Sequence, residues 1–157
     1  MGTSAMSQEE KIVFPNAKFG EVEVESDNVV QFPNGVPGFE RCKRYGLLAL
    51  EEEAPFMRLL SLDDPNVGFV LMNPMQVWGD YNPDIGREDL ESLDLEGPED
   101  LAVYCVVTLS SVPSQVTANL KGPIFINTRT MLARQMILMD ERYNTKHSIL
   151  GDGQEGA

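Results

Sequence analysis

LAVYCVVTLSSVPSQVTANLKGPIFIN, residues 101–127, is the stretch whose reading decides the fold. It holds three β-rich runs, Leu101–Leu109, Gln115–Leu120 and Ile124–Ile126. Val, Ile, Thr, Tyr and Phe dominate them, the side chains that suit a pleated, half-buried surface. Ser-Ser-Val-Pro-Ser and Lys-Gly-Pro separate the runs, because Pro and Gly interrupt a ladder of hydrogen bonds. The first run is apolar at nearly every position. Both of its faces are therefore expected to be covered, which makes it a central strand.

On the N-terminal side, Tyr45–Leu50, Met57–Leu62 and Val67–Met72 read as three more strands. Glu51–Pro55 joins the first two, and Asp63-Asp64-Pro65-Asn66 turns tightly between the others. Earlier still, Phe19, Val22 and Val24 sit among Lys18, Glu21, Glu23 and Glu25, giving a strand with one wet face. Ser26-Asp27-Asn28 has turn chemistry, and Val29–Phe32 reads as the return strand of a hairpin. Pro33, Gly35, Pro37 and Gly38 fix a shaped loop, with Phe39 expected to plug onto the core.

Between Met72 and the opening stretch, Asn73-Pro74 ends a strand, and Trp78, Tyr81 and Pro83 come next, beside Asp80 and Asp84. Arg87–Asp94 reads as a helix: Glu88 and Asp89 favour its start, Leu90 and Leu93 form an apolar stripe, and Gly97-Pro98 ends it. Arg134–Met139 reads as a last strand and Glu141–Leu150 as a docked turn or short helix. Residues 1–11 are expected to form a flexible N-terminus, 12–150 a single domain and 151–157 a disordered tail. With about nine short strands and no strand–helix alternation, the fold class is mainly β: a small antiparallel β-barrel-like domain with one short helix.

A chain of 157 residues suits one domain, which buries roughly two-thirds of its unfolded surface. No apolar run approaches the roughly 20 residues of a membrane helix, and the N-terminus lacks the apolar core of a signal peptide. A soluble cytoplasmic protein with no membrane contact is expected. Cys42 and Cys105 are far apart and form no C-x-x-C, so buried, inert thiols in a reducing compartment are the expectation. The 25 acidic residues against 12 basic ones leave a net charge of −13. Such a surface repels phosphate backbones, so direct nucleic-acid binding is not expected. The acidity reads either as a solubility device or as a match for a basic protein partner.

The chemistry of a site is sparse. His147 is the single histidine and reads as a surface residue. No Cys, His or carboxylate cluster has metal-ligand spacing. No Gly-rich loop with a following Lys-Ser or Lys-Thr cradles phosphates, and Ser110 and Ser111 lack a nucleophile-elbow setting. No catalytic residue, cofactor or metal is assigned. Trp78, Tyr81 and Met75, beside Asp80 and Asp84, read either as an interface, where aromatics and Met are enriched, or as a cap on one end of the barrel.

Several stretches taken in order resemble the flagellar assembly factor family FliW. They are Phe19-Gly20, Gly35-Val36-Pro37-Gly38-Phe39-Glu40, Phe56, Leu59 to Pro65, Phe69-Val70-Leu71, Asn73-Pro74 and Asp80-Tyr81. Thr117 to Ile124, Ile126-Asn127, Gln135 to Leu138 and Tyr143 complete the set. The resemblance implies a non-enzymatic β-barrel protein of the cytoplasm. It also implies two partners, flagellin and the translational repressor CsrA, a small RNA-binding dimer. The family relieves the repressor's block on flagellin mRNA through the repressor's C-terminal part, and free flagellin switches that relief off. Pro37, Gly38, Phe39, Asn119, Leu120 and Pro123 match the motifs and are read as structural, through turn geometry and core closure. Asp63, Asp64, Trp78, Asp80 and Tyr81 are read as the partner contacts. The acidic tail after Leu150 is given no role. Two other classes stay open: a small β-barrel enzyme or ligand carrier, which needs a deep polar pocket, and a structural interaction module with a large apolar face.

Overall fold

A computed structural model describes residues 10–83 and 86–149. The residues read as a disordered tail lie outside them, as do all but the last two of the expected flexible N-terminus. Lys11 already opens the first strand.

Ten strands form. They are β1 (Lys11–Asn16), β2 (Gly20–Glu25), β3 (Val29–Gln31), β4 (Arg44–Ala49) and β5 (Met57–Ser61). Then come β6 (Gly68–Met72), β7 (Leu101–Thr108), β8 (Thr117–Asn127), β9 (Leu132–Gln135) and β10 (His147–Ser148). The helix α1 is short, Arg87–Glu91, ends before the expected Asp94 and has no buried residue of its own; the buried Leu93 follows it in a turn.

Strands β3 to β9 succeed one another around a closed barrel, each antiparallel to the next, and β9 returns to β3. That last pair is parallel, held by Gln31 opposite Leu132. The exception to the expected antiparallel pattern is forced by parity. An odd number of strands that alternate direction meets its own start running the same way.

Alternation along each strand decides what lies inside. Val30, Tyr45, Leu59, Leu71, Ile124, Ile126 and Ala133 fill the barrel, with Phe32, Val36 and Cys42 from the loop after β3 and Tyr104 and Phe69 packed against them. Phe39 does plug that loop: its ring meets Phe69 edge-on at 5.4 Å. The outward residues of the same strands are apolar too, and three coverings bury them. Ile12, Phe14, Val22 and Val24 of β1–β2 lie over Val29, Leu48 and Leu60. Leu93 and Leu95 lie with Met136 over Phe125, Leu101 and Val103. Tyr81, Trp78, Tyr143 and Ile149 lie over Val70, Met72, Cys105, Val107 and Ala118. Strand β7 therefore has both faces covered, as its uninterrupted apolar run predicts.

Two readings of the pairing need correction. Strand β2 pairs with β1, not with Val29–Gln31, because the apolar faces of Ile12–Phe14 and Val22–Val24 complete each other while β3 is taken into the barrel. Lys121-Gly122-Pro123 does not end a strand. Strand β8 runs through it, with a bulge where the register to β7 jumps from Val106–Asn119 to Tyr104–Ile124. The Asn119 side chain makes this possible, accepting the N–H groups of Lys121 and Gly122 at 3.0 and 2.9 Å. Bulges of this kind bend a strand and leave its backbone free to bond elsewhere.

The bulge also shapes the chain beyond β9. Met136 and Leu138 donate their N–H groups to the carbonyls of Pro123 and Lys121 at 2.9 and 2.8 Å. Pro123 has no N–H to return, and the Lys121 N–H already serves Asn144 and Asn119. The expected strand Arg134–Met139 is therefore regular only to Gln135 and continues as an extended segment tied by one-way bonds.

Candidate partner-binding surface

The expected contact residues occupy the two opposite ends of the barrel. Asp63 and Asp64 lie between β5 and β6, whereas Trp78, Asp80 and Tyr81 lie beyond the far end of β6. Antiparallel β5 and β6, paired from Met57–Leu71 to Leu60–Gly68, keep the groups apart.

Asp63 and Asp64 hold a turn together. Ser61 Oγ accepts the N–H groups of both, at 2.9 and 3.0 Å. Asp63 in turn accepts the N–H groups of Lys43 and Arg44 at 2.9 and 3.0 Å and the Arg44 guanidinium at 3.3 Å. Asp64 pairs with Arg41 and accepts the Asn66 N–H. Burial pushes the Asp63 carboxyl up, but the two N–H groups and Arg44 outweigh it and hold the group below the usual aspartate range. Asp64 is lowered as well, first by the Asn66 N–H and then by Arg41.

At the other end an aromatic cluster sits on the outer face of β6–β8. Asn73 Oδ1 accepts the Met75 N–H and starts a short 3-10 turn, Pro74–Gln76, that delivers Trp78. Tyr81 is buried, donating its hydroxyl to the Leu120 carbonyl at 2.8 Å and packing edge-on against Tyr143 at 4.8 Å. Burial pushes the Tyr81 hydroxyl far up. Trp78 is half-buried and meets the His147 ring at 5.9 Å. The Tyr143 hydroxyl accepts the Asn82 N–H, and Arg142 lies over the Tyr143 ring at 5.0 Å. Asp80 is exposed at the rim. His147, read as a surface residue, belongs to this cluster, with Nε2 accepting the Asn144 N–H at 2.9 Å. Its spacing from Trp78 along the chain gives no sign of the pairing.

Other large apolar side chains are exposed. Met75 and Val77 stand beside Trp78, and Ile137 and Met139 are 62% and 89% exposed on the extended segment after β9. The apolar run Arg134–Met139 suggests a covered strand and gives no hint that these last two are surface. An open groove of about 510 Å³ runs between this segment, Met136–Asp140, and the start of α1 at Gly86 and Asp89. A second of about 450 Å³ lies at the barrel mouth between Met57, Met75 and Leu101–Tyr104. Among the described residues, no three His, Cys, Asp or Glu side chains come close enough together to hold a metal ion. Cys42 and Cys105 are free and buried, and burial pushes the Cys105 thiol up to about 12. No described helix is long and apolar enough to cross a membrane.

Residues 13–149 match the family model described as FliW protein. This chain belongs to the FliW family. The flagellar assembly factor FliW of Treponema denticola is 39% identical over 133 residues, 85% of this chain and 90% of that protein. Those of Thermotoga neapolitana and Bacillus pumilus are each 38% identical, covering 90% and 82% of this chain and 95% and 89% of theirs. A crystal structure of the flagellar assembly factor FliW superposes with a TM-score of 0.79 at 36% identity, over 89% of this chain and 96% of that one.

The positions that match the FliW motifs have clear local work. Gly35 adopts φ +70°, and a Cβ there would stand 2.5 Å from the Glu40 Cα, so the loop closes only around glycine. Gly38 adopts φ +90° in open space and donates its N–H to the Glu40 carboxylate at 3.1 Å. Pro37 is exposed beside them. Asn119 shapes the bulge, Leu120 is buried under Tyr81, and Pro123 ends the return ladder. Asn127, buried, donates to the Leu93 and Asp94 carbonyls at 2.8 and 3.2 Å and so ties the end of the helical segment to β8.

Proposed function

We propose that this chain is a non-catalytic flagellar assembly factor of the cytoplasm that binds flagellin and antagonises the translational repressor CsrA. In this reading it relieves repression of flagellin mRNA while flagellin is scarce, and it is withdrawn when unsecreted flagellin occupies it. Membership of the FliW family over residues 13–149 carries the reading. Two properties of the surface support it. A net charge of −13 suits a basic RNA-binding partner and disfavours competition for the RNA itself. The half-buried Trp78 with exposed Met75 and Val77 offers the aromatic and Met anchors on which interfaces depend.

The test uses CsrA bound to a labelled flagellin mRNA leader, monitored by fluorescence anisotropy. Addition of the full chain should release the RNA in a saturable way. RNA that stays bound at saturating chain would reject the antagonism.

A further inference from the structure

We propose that the Ile137–Met139 edge is a strand-addition site for an extended peptide with alternating apolar side chains and flanking cations. The backbone geometry comes first. In a pleated segment the N–H and C=O of successive residues point to opposite sides. Met136 and Leu138 direct theirs at β8, where their N–H groups are taken, and both side chains are buried at 4% exposure. Ile137 and Met139 therefore direct theirs away from β8. Among the described residues these groups take no backbone bond. Natural sheet edges are normally guarded by lysine, proline or a bulge. Here the two outward positions carry large apolar side chains instead, beside an open groove that Gly86 and Asp89 bound on the far side.

Length, shape and charge identify the occupant. Pairing with an edge gives main-chain hydrogen bonds, and alternate side chains of the guest enter the groove. Asp89 and Asp140 line the groove, each already holding an arginine, Arg134 and Arg142. Lys121 also reaches the groove, its ammonium 3.5 Å from the Asp140 carbonyl, but exposed Glu88, Glu91 and Glu141 outnumber Arg87 and Lys121 together, so these flanking residues keep an excess of one negative charge. A peptide with lysine or arginine at its ends complements it. The chain's own Gly151–Ala157 carries Asp152 and Glu155 and no large apolar side chain, so it does not suit the groove. A second copy brings another −13 charges to the same edge and is disfavoured for the same reason.

The probe is a blocked peptide of about nine residues, the length of a long strand, alternating valine and threonine between terminal lysines. Isothermal titration with the full chain should saturate below about 1 mM. Ile137→Pro removes the outward N–H without touching a bond to β8 and should weaken binding about tenfold or more. Ile137→Val keeps it and should stay within about twofold of the unaltered chain. The same peptide N-methylated at its central residues should not bind. Amide exchange at Ile137 and Met139 in the unaltered chain should slow when peptide is added, which decides the matter should I137P not fold. No saturation, or binding indifferent to both I137P and N-methylation, overturns the site. So does a dimer of the unaltered chain that I137P dissolves, since the edge would then belong to a second copy.

Discussion

Two buried tyrosines separate a hydroxyl that holds the structure from one that does not. Tyr81 donates to the Leu120 carbonyl across the bulge. Tyr45, fully buried in the barrel, has no partner for its hydroxyl among the described residues. Tyr81→Phe should cost about 1–2 kcal/mol in urea unfolding, because it leaves a buried carbonyl short of a donor. Tyr45→Phe should be neutral or mildly stabilising, within about 0.5 kcal/mol, because it removes only a buried polar atom. Equal losses in the two variants would contradict this division. Asp63 gives a second residue-scale expectation. Its folded-state pKa lies below the ordinary value of 3.8, so its contribution is complete above that value and fades as pH falls through the folded one. Asp63→Asn should be less stable than the unaltered chain at about pH 7, and the gap should narrow below about pH 4. A gap that widens in acid would show that the sign is wrong. The sequence marks Asp63 and Tyr81 as residues of interest but not their work. Neither the two N–H groups that Asp63 collects from 20 and 19 residues earlier nor the Tyr81–Leu120 bond leaves a trace in local composition.

Among the elements, strand positions were legible wherever β-branched runs met turn residues, and β4 to β7 lie close to where the sequence puts them. The partners of strands were not, because pairing is chosen by faces far apart in the chain. β2 has an apolar face that suits β1 and β3 alike, and only closure of the barrel assigns β3 elsewhere. The bulge in β8 escaped for a related reason: Lys121-Gly122-Pro123 is a strand breaker by residue type, and the Asn119 side chain rescues it. The seam between β3 and β9 has one aligned pair, Gln31–Leu132, against five between β4 and β5. Native-state amide exchange should therefore show β3 and β9 opening at lower free energy than β4 to β7. Uniform protection around the barrel would contradict a weak seam.

For the whole molecule, the proposed function gives the charge of −13 and the exposed apolar residues different parts in recognition. Acidic surface should speed encounter with a basic partner over about 8 Å at physiological salt, while buried aromatic contact should set the lifetime of the complex. Trp78→Ala should then speed dissociation of the CsrA complex and leave the salt dependence of association unchanged, as stopped-flow kinetics can resolve. The fold and the family were readable from ordered motifs spread along the chain. The exposed edge at Ile137 and Met139 was not, since an apolar run looks the same whether a neighbour covers it or leaves it open. The central claim is that flagellin and CsrA cannot both be served by one molecule of this chain. Its most direct test is titration of the preformed complex with CsrA by purified flagellin, read as free repressor. The account predicts that CsrA is released as flagellin saturates; a complex with CsrA that survives saturating flagellin undisturbed would contradict it.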